Sequence, residues 1–167
     1  MLQRADMAGI AGRMDRLPLT ALHVAALGLC ALGFTFDLLE IGLGSALAPV
    51  FSSAPYKAHT EQVSLLLASV YMGAVVGAPL LGWVADRHGR RRTLAALLLW
   101  LAVTSLCAAA APDITRLSLF RSLSGLSLGA YPPLMIAYLT DLMPPRRRGT
   151  LIFVTVAVAS LGAPAGV

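Results

Sequence analysis

Five apolar runs, separated by short segments that carry most of the charge, limit this chain more than any other feature. They cover about residues 19–50, 62–84, 93–111, 117–139 and 150–167. Each of the first four can cross a ~30 Å hydrocarbon core as a helix rising ~1.5 Å per residue. A small soluble core needs no runs of this length. With 57% hydrophobic and only 13% charged residues, too few charges remain to cover a water-facing surface. The expected fold is an all-α, polytopic membrane protein with four complete transmembrane helices plus most of a fifth. Residues 1–18 are expected to form a polar tail and residues 19–167 a transmembrane bundle. The last residues, Ala163 to Val167, are still apolar, so the sequence is expected to be truncated within its fifth span.

The net charge of +5 does not mark a nucleic-acid surface, because no basic helix is interleaved with aromatics. Arginine placement sets orientation instead. Arg4, Arg13 and Arg16 in the tail, Arg87, Arg90, Arg91 and Arg92 in the second connection and Arg146, Arg147 and Arg148 in the fourth face Lys57 and Arg116 in the alternate connections. Ten basic residues against two predict a cytoplasmic tail and cytoplasmic even-numbered connections. Cys30 and Cys107 sit inside apolar runs and read as small hydrophobes rather than a disulfide. No phosphate loop, nucleophile motif or metal-ligand cluster occurs, so neither an enzyme nor a bound cofactor or metal is expected.

Three constellations carry chemistry. Asp37 and Glu40 stand at i and i+3 in the first run, on one face shared with Gly33 and Gly44. An ionised side chain at the membrane centre costs roughly 2.5–3.5 kcal/mol on insertion scales, so such residues need a partner or a role. The alternative ends the span at Phe36 and leaves both acids at the interface. In the fourth run Arg121, Gly125, Gly129 and Pro133 repeat every fourth residue, a cation above a glycine strip. Arg121 is a candidate to bind a carboxylate, that of a substrate or of Asp37 or Glu40, or else to snorkel outward. The glycines are candidates for a helix-packing seam. Between the second and third runs lies Gly82-Trp83-Val84-Ala85-Asp86-Arg87-His88-Gly89-Arg90-Arg91-Arg92. Asp86 there is placed to accept from Arg90 or to face a neighbouring helix N-terminus. The arginines also suit anionic lipid.

That segment has the spacing G-x-x-x-D-[RK]-x-G-R-[RK] and resembles the loop between the second and third helices of major facilitator superfamily transporters. Arg121-x-x-x-Gly125-x-x-x-Gly129 is similar to the basic motif of that superfamily's fourth helix. The run from Asp141 through Pro145, Arg148 and Gly149 resembles the loop after it in sugar and metabolite:proton symporters. Gly33 to Glu40 is similar to the acidic first helix of aromatic-acid and metabolite:proton symporters, with a glycine missing and a glutamate as the second acid. The resemblance implies part of a six-helix N-terminal bundle of two inverted three-helix repeats. It also implies a second bundle as partner and a substrate site between the two near the midplane. It assigns gating to Gly82, Asp86, Arg87, Gly89, Arg90 and Arg91.

The function expected of the complete protein is proton-coupled symport of a small organic acid or related metabolite by alternating access in the inner or plasma membrane. Asp37, Glu40 and Arg121 would serve substrate binding and coupling, with the proton as coupling ion. A drug/proton antiporter and a non-transporting membrane scaffold or regulatory fragment stay open as alternatives.

Overall fold

The computed structural model of the chain describes residues 20–53 and 59–162. The expected tail over 1–18, Lys57 and the end of the fifth run lie outside the described residues. The described residues form five helices: α1 Ala21–Ser52, α2 Thr60–His88, α3 Arg90–Ala109, α4 Ile114–Leu142 and α5 Arg148–Gly162.

The helix ends follow local chemistry. His23 Nδ1 lies 3.3 Å from the Thr20 amide and 2.7 Å from its hydroxyl, satisfying polar groups at the start of α1. Asp113 accepts from the Arg116 amide at 2.8 Å and caps α4. The helices run on through Pro49, Pro79, Pro132 and Pro133, as membrane helices tolerate where neighbours support the freed carbonyls.

α1, α2 and α3 are long and apolar enough to cross a membrane. α4 has the length, at 29 residues, but its serines and Arg121 dilute its apolar character. The described part of α5 is a shorter apolar helix of 15 residues. Large side chains point outward from the bundle, with Val75 at 75% and Phe153 at 72% exposure. Water would not support such a surface, whereas lipid does. This is a multi-pass membrane protein.

The most extensive packing joins helices that are not consecutive in sequence. α2 packs most extensively on α4, α3 lies against α4, and α1 packs on α5. Exchanging α1 and α2 with α4 and α5 leaves the α2–α4 and α1–α5 pairings unchanged as a set. The α2–α4 contact is backbone on backbone. A Cβ on Gly73 would strike the Ser122 carbonyl, one on Gly77 the Leu126 backbone, one on Gly125 the Val70 carbonyl and one on Gly129 the Ala74 carbonyl. Four glycines therefore set the approach of the two helices, as small residues do where no hydrophobic effect drives association. Side-chain donors tie the remaining helices. Trp100 Nε1 donates to Leu123 O at 2.8 Å and Ser127 Oγ to Leu97 O at 2.9 Å, joining α3 and α4. Thr35 Oγ1 donates to Ala159 O at 3.2 Å, joining α1 and α5.

The arginine-rich segment is more helical than a loop. Gly82 to His88 finish α2, Arg90 to Arg92 begin α3, and Gly89 alone lies between them with φ +91°. An L side chain rarely adopts that φ, so glycine is the residue that allows so tight a reversal. Arginine is a good helix former, which lets α3 start directly after it.

Candidate functional site

One stripe of α1 faces the bundle: Cys30, Gly33, Asp37, Glu40 and Gly44, spaced by three and four residues. α1 continues unbroken through both acids, so neither lies at a helix end. Asp37 is 2% exposed, Glu40 7% and Arg121, opposite them on α4, 1%. Arg121 does not snorkel.

The structure joins Arg121 to Glu40. Nη1 of Arg121 is 3.6 Å from Oε1 of Glu40, and Nη2 donates to the Glu40 main-chain carbonyl at 2.9 Å. Gly44 makes room for the guanidinium, since a Cβ there would stand 3.1 Å from Nη2. Two serines complete the carboxylate's surroundings. Ser124, one turn after Arg121 on α4, donates to Oε1 at 3.1 Å, and Ser105 of α3 donates to Oε2 at 3.1 Å. Glu40 is thereby held by α3 and α4 together. Neither serine was singled out from the sequence. Ser124 had a signal, its i+3 spacing from Arg121, whereas Ser105 had none.

Asp37 has no such shell. Its Oδ1 is buried without a hydrogen-bond partner, and it forms no ion pair with Arg121. Nε and Nη1 of Arg121 also lack hydrogen-bond partners. Two ionisable groups on facing helices thus keep unused bonding capacity in a low-dielectric interior, where an unmet polar group is costly. On the helix turn below Asp37, Gly33 is filled by Tyr131, whose hydroxyl a Cβ would strike and which donates to Cys30 O at 3.2 Å. Beside Glu40, α1 and α3 border an apolar groove of about 650 Å³ that reaches Ser105.

Gly125 and Gly129 are not an open groove below Arg121, because α2 fills the space above them. Pro133, one turn further along the same strip, is exposed beside Gly82, Asp86 and Arg90 in a shallow pocket of about 200 Å³ between α2 and α4.

At the arginine-rich end Arg90 departs from one expected pairing. It donates to Asp141 Oδ2 at 2.5 Å and to Ala137 O at 3.1 Å, tying the start of α3 to the end of α4, and makes no ion pair with Asp86. Asp86, on the last turn of α2, lines the same pocket as Arg90, while the end of α4 packs alongside α3 and brings Asp141 to the guanidinium. Asp86 is exposed, and open space adjoins Gly82. Arg87 lies over the Trp83 ring, 4.6 Å from its centroid, and Arg91 is exposed. Pro145 lies in the turn before α5, and Arg148 and Gly149 are the first residues of that helix, all three exposed. Among the described residues no cluster of His, Cys, Asp and Glu suits a metal.

The chain is similar in sequence to known transport proteins. The chain is 32% identical to the arabinose-proton symporter of Bacillus subtilis over 127 residues, 75% of this chain and 26% of the relative. It is 27% identical to the niacin transporter NiaP of Acinetobacter baylyi over 153 residues, 92% of this chain and 35% of the relative. It is 30% identical to the galactose-proton symporter of Escherichia coli over 125 residues, 74% of this chain and 26% of the relative. The chain therefore spans about a quarter to a third of the length of these relatives. The family model for the Major Facilitator Superfamily matches residues 26–167, a stretch that takes in most of α1, the acidic stripe, the Gly89 turn and every later helix. The chain belongs to the Major Facilitator Superfamily.

Proposed function

We propose that this chain is the first part of a secondary active transporter that carries a small organic acid or related metabolite together with a proton. The family and the transporter names of its relatives make it a transport protein and not an enzyme. The observation that carries the finer reading is the buried Glu40–Arg121 pair with Asp37 three residues away and unpartnered.

The two acids divide the work. Glu40 is held by Arg121, Ser105 and Ser124 as the fixed partner of the arginine. Asp37, with an unmet oxygen, takes and releases the proton. Protonation removes a buried charge and changes the balance between outward- and inward-facing states. Nε of Arg121, with no hydrogen-bond partner, and Nη1, which Glu40 shares only at ion-pair distance, are the donors for a substrate carboxylate. The niacin transporter among the relatives supports a small carboxylic acid as cargo. The sugar-proton symporters support coupling to protons.

In this reading α4 also crosses the membrane. Its polar residues Arg121, Ser124 and Ser127 are buried in the bundle, so they do not meet lipid. α5 is the larger part of a fifth crossing. The arginine-rich end faces the cytoplasm of a cell whose inner or plasma membrane holds the protein. A second bundle from the rest of a longer chain closes the far side of the substrate path. Gly82 and Asp86, with open space and an unpaired carboxylate, form the half of a gate that meets it, supported by Arg87, Gly89, Arg90 and Arg91.

The test is proton movement in proteoliposomes of the full-length protein carrying a lumenal pH dye. Symport predicts that external niacin or a similar acid acidifies the lumen faster than in protein-free vesicles. Lumenal alkalinisation on substrate entry would instead establish antiport.

A further inference from the structure

The arginine-rich end contains a groove that the coupling site does not use. Between α2 and α3, with Leu126 of α4 as its floor, lies a space of about 530 Å³. Its walls are apolar along their length, Val84 on one side and Ala96 on the other. Charge enters at one end only, where His88 closes α2 and Arg92 lies in the first turn of α3. Trp100 stands at the deep end with its indole N–H already bound to Leu123 O.

Dimensions and bonding both narrow the occupant. From Arg92 to Trp100 α3 rises ~12 Å at ~1.5 Å per residue, close to the ~15 Å of one leaflet of a ~30 Å hydrocarbon core. Trp100 is 44% exposed and Leu80, on the α2 side, 51%, so the groove opens sideways toward lipid. Arg92 has no carboxylate within ion-pair distance among the described residues. His88 Nδ1 is 3.2 Å from Val84 O and must donate to it, so Nε2 of the neutral ring is an acceptor and Arg92 is the donor at the mouth. Thr93, the remaining polar residue of the lining, spends its hydroxyl on Gly89 O. A soluble anion would find no polar contact below the mouth. A molecule with an anionic head and a long apolar tail matches the groove along its whole length.

We propose that this groove binds an anionic phospholipid, one acyl chain between α2 and α3 and the phosphate on Arg92, beside His88. Basic pockets between membrane helices take such headgroups. The site needs only a bilayer and is independent of what the protein carries.

The test is native mass spectrometry of the full-length protein released from nanodiscs of equimolar phosphatidylglycerol and phosphatidylcholine. The wild type is expected to retain phosphatidylglycerol over phosphatidylcholine by about fivefold, the contribution of one basic residue near the surface. Arg92→Gln brings the ratio close to one. Ala96→Phe, which fills the groove, lowers retention of either lipid. Arg116→Gln, at the opposite end, leaves the ratio unchanged. Equal retention of both lipids by the wild type overturns the proposal without reference to any variant. So does a preference that survives Arg92→Gln, displacement of the lipid by millimolar inorganic phosphate alone, or a wild type that emerges lipid-free with a second protein copy bound.

Discussion

Two arginine–carboxylate pairs tie this bundle, and they differ in a way that distance hides. Arg90 meets Asp141 at 2.5 Å, yet their side chains are 37% and 63% exposed. Arg121 meets Glu40 at 3.6 Å, with side chains 1% and 8% exposed. The shorter pair is the weaker structural element, because water and salt screen it and compete for both partners. At the longer pair no solvent replaces a missing partner, and Oδ1 of the neighbouring Asp37 has none among the described residues. Burial, not length, decides which pair the fold depends on.

The contrast is broken most severely at Arg121. Arg121→Ala strands Glu40 and leaves two buried carboxylates, with an expected loss of about 3–5 kcal/mol. In detergent the full-length variant should unfold well below the wild type or fail to accumulate. Arg121→Lys keeps the charge but not the fork that reaches both Glu40 and its main-chain carbonyl, and should fall between the two.

The glycine seam that brings α4 to this position comes next. Gly77→Val places methyl groups against the Leu126 backbone and should cost about 1–3 kcal/mol by overpacking. Gly82→Val, where open space adjoins the glycine, should leave the melting temperature close to wild type. Equal effects at the two positions would contradict the packing described.

Ser124→Ala then separates the shell from the pair. It removes one donor to Glu40, for a loss of about 0.5–1.5 kcal/mol in a thermal melt. The smallest effect belongs to the exposed pair. Asp141→Asn should change stability by about 0–1 kcal/mol and less at high salt. A larger change there than in Ser124→Ala would reverse the comparison.

What the sequence made legible follows from the dimensionality of each signal. Apolar runs and the Gly89 turn are properties of consecutive residues, and the five helices lie where the runs predicted, to within a few residues. The acidic stripe was also readable, because i and i+3 share a face whatever surrounds the helix. Which acid meets Arg121 was not. That depends on how far α1 is shifted along α4, which Gly33 against Tyr131 and Gly44 against Arg121 set through contacts between distant segments. Arg90 shows the same limit. Asp86 is its neighbour in sequence, and Asp141 is its neighbour in space. Ser105 was invisible because a serine inside an apolar run is common and takes its meaning only from the carboxylate across from it.

The most direct test of the divided roles of the two acids is substrate flux in the full-length protein with Asp37→Asn, measured in two modes. With a proton gradient imposed across proteoliposomes, the variant should no longer accumulate substrate against its concentration. In counterflow, with substrate on both sides and no gradient, exchange should continue, because the Glu40–Arg121 pair is intact. Gradient-driven accumulation at the wild-type level in Asp37→Asn would contradict the account.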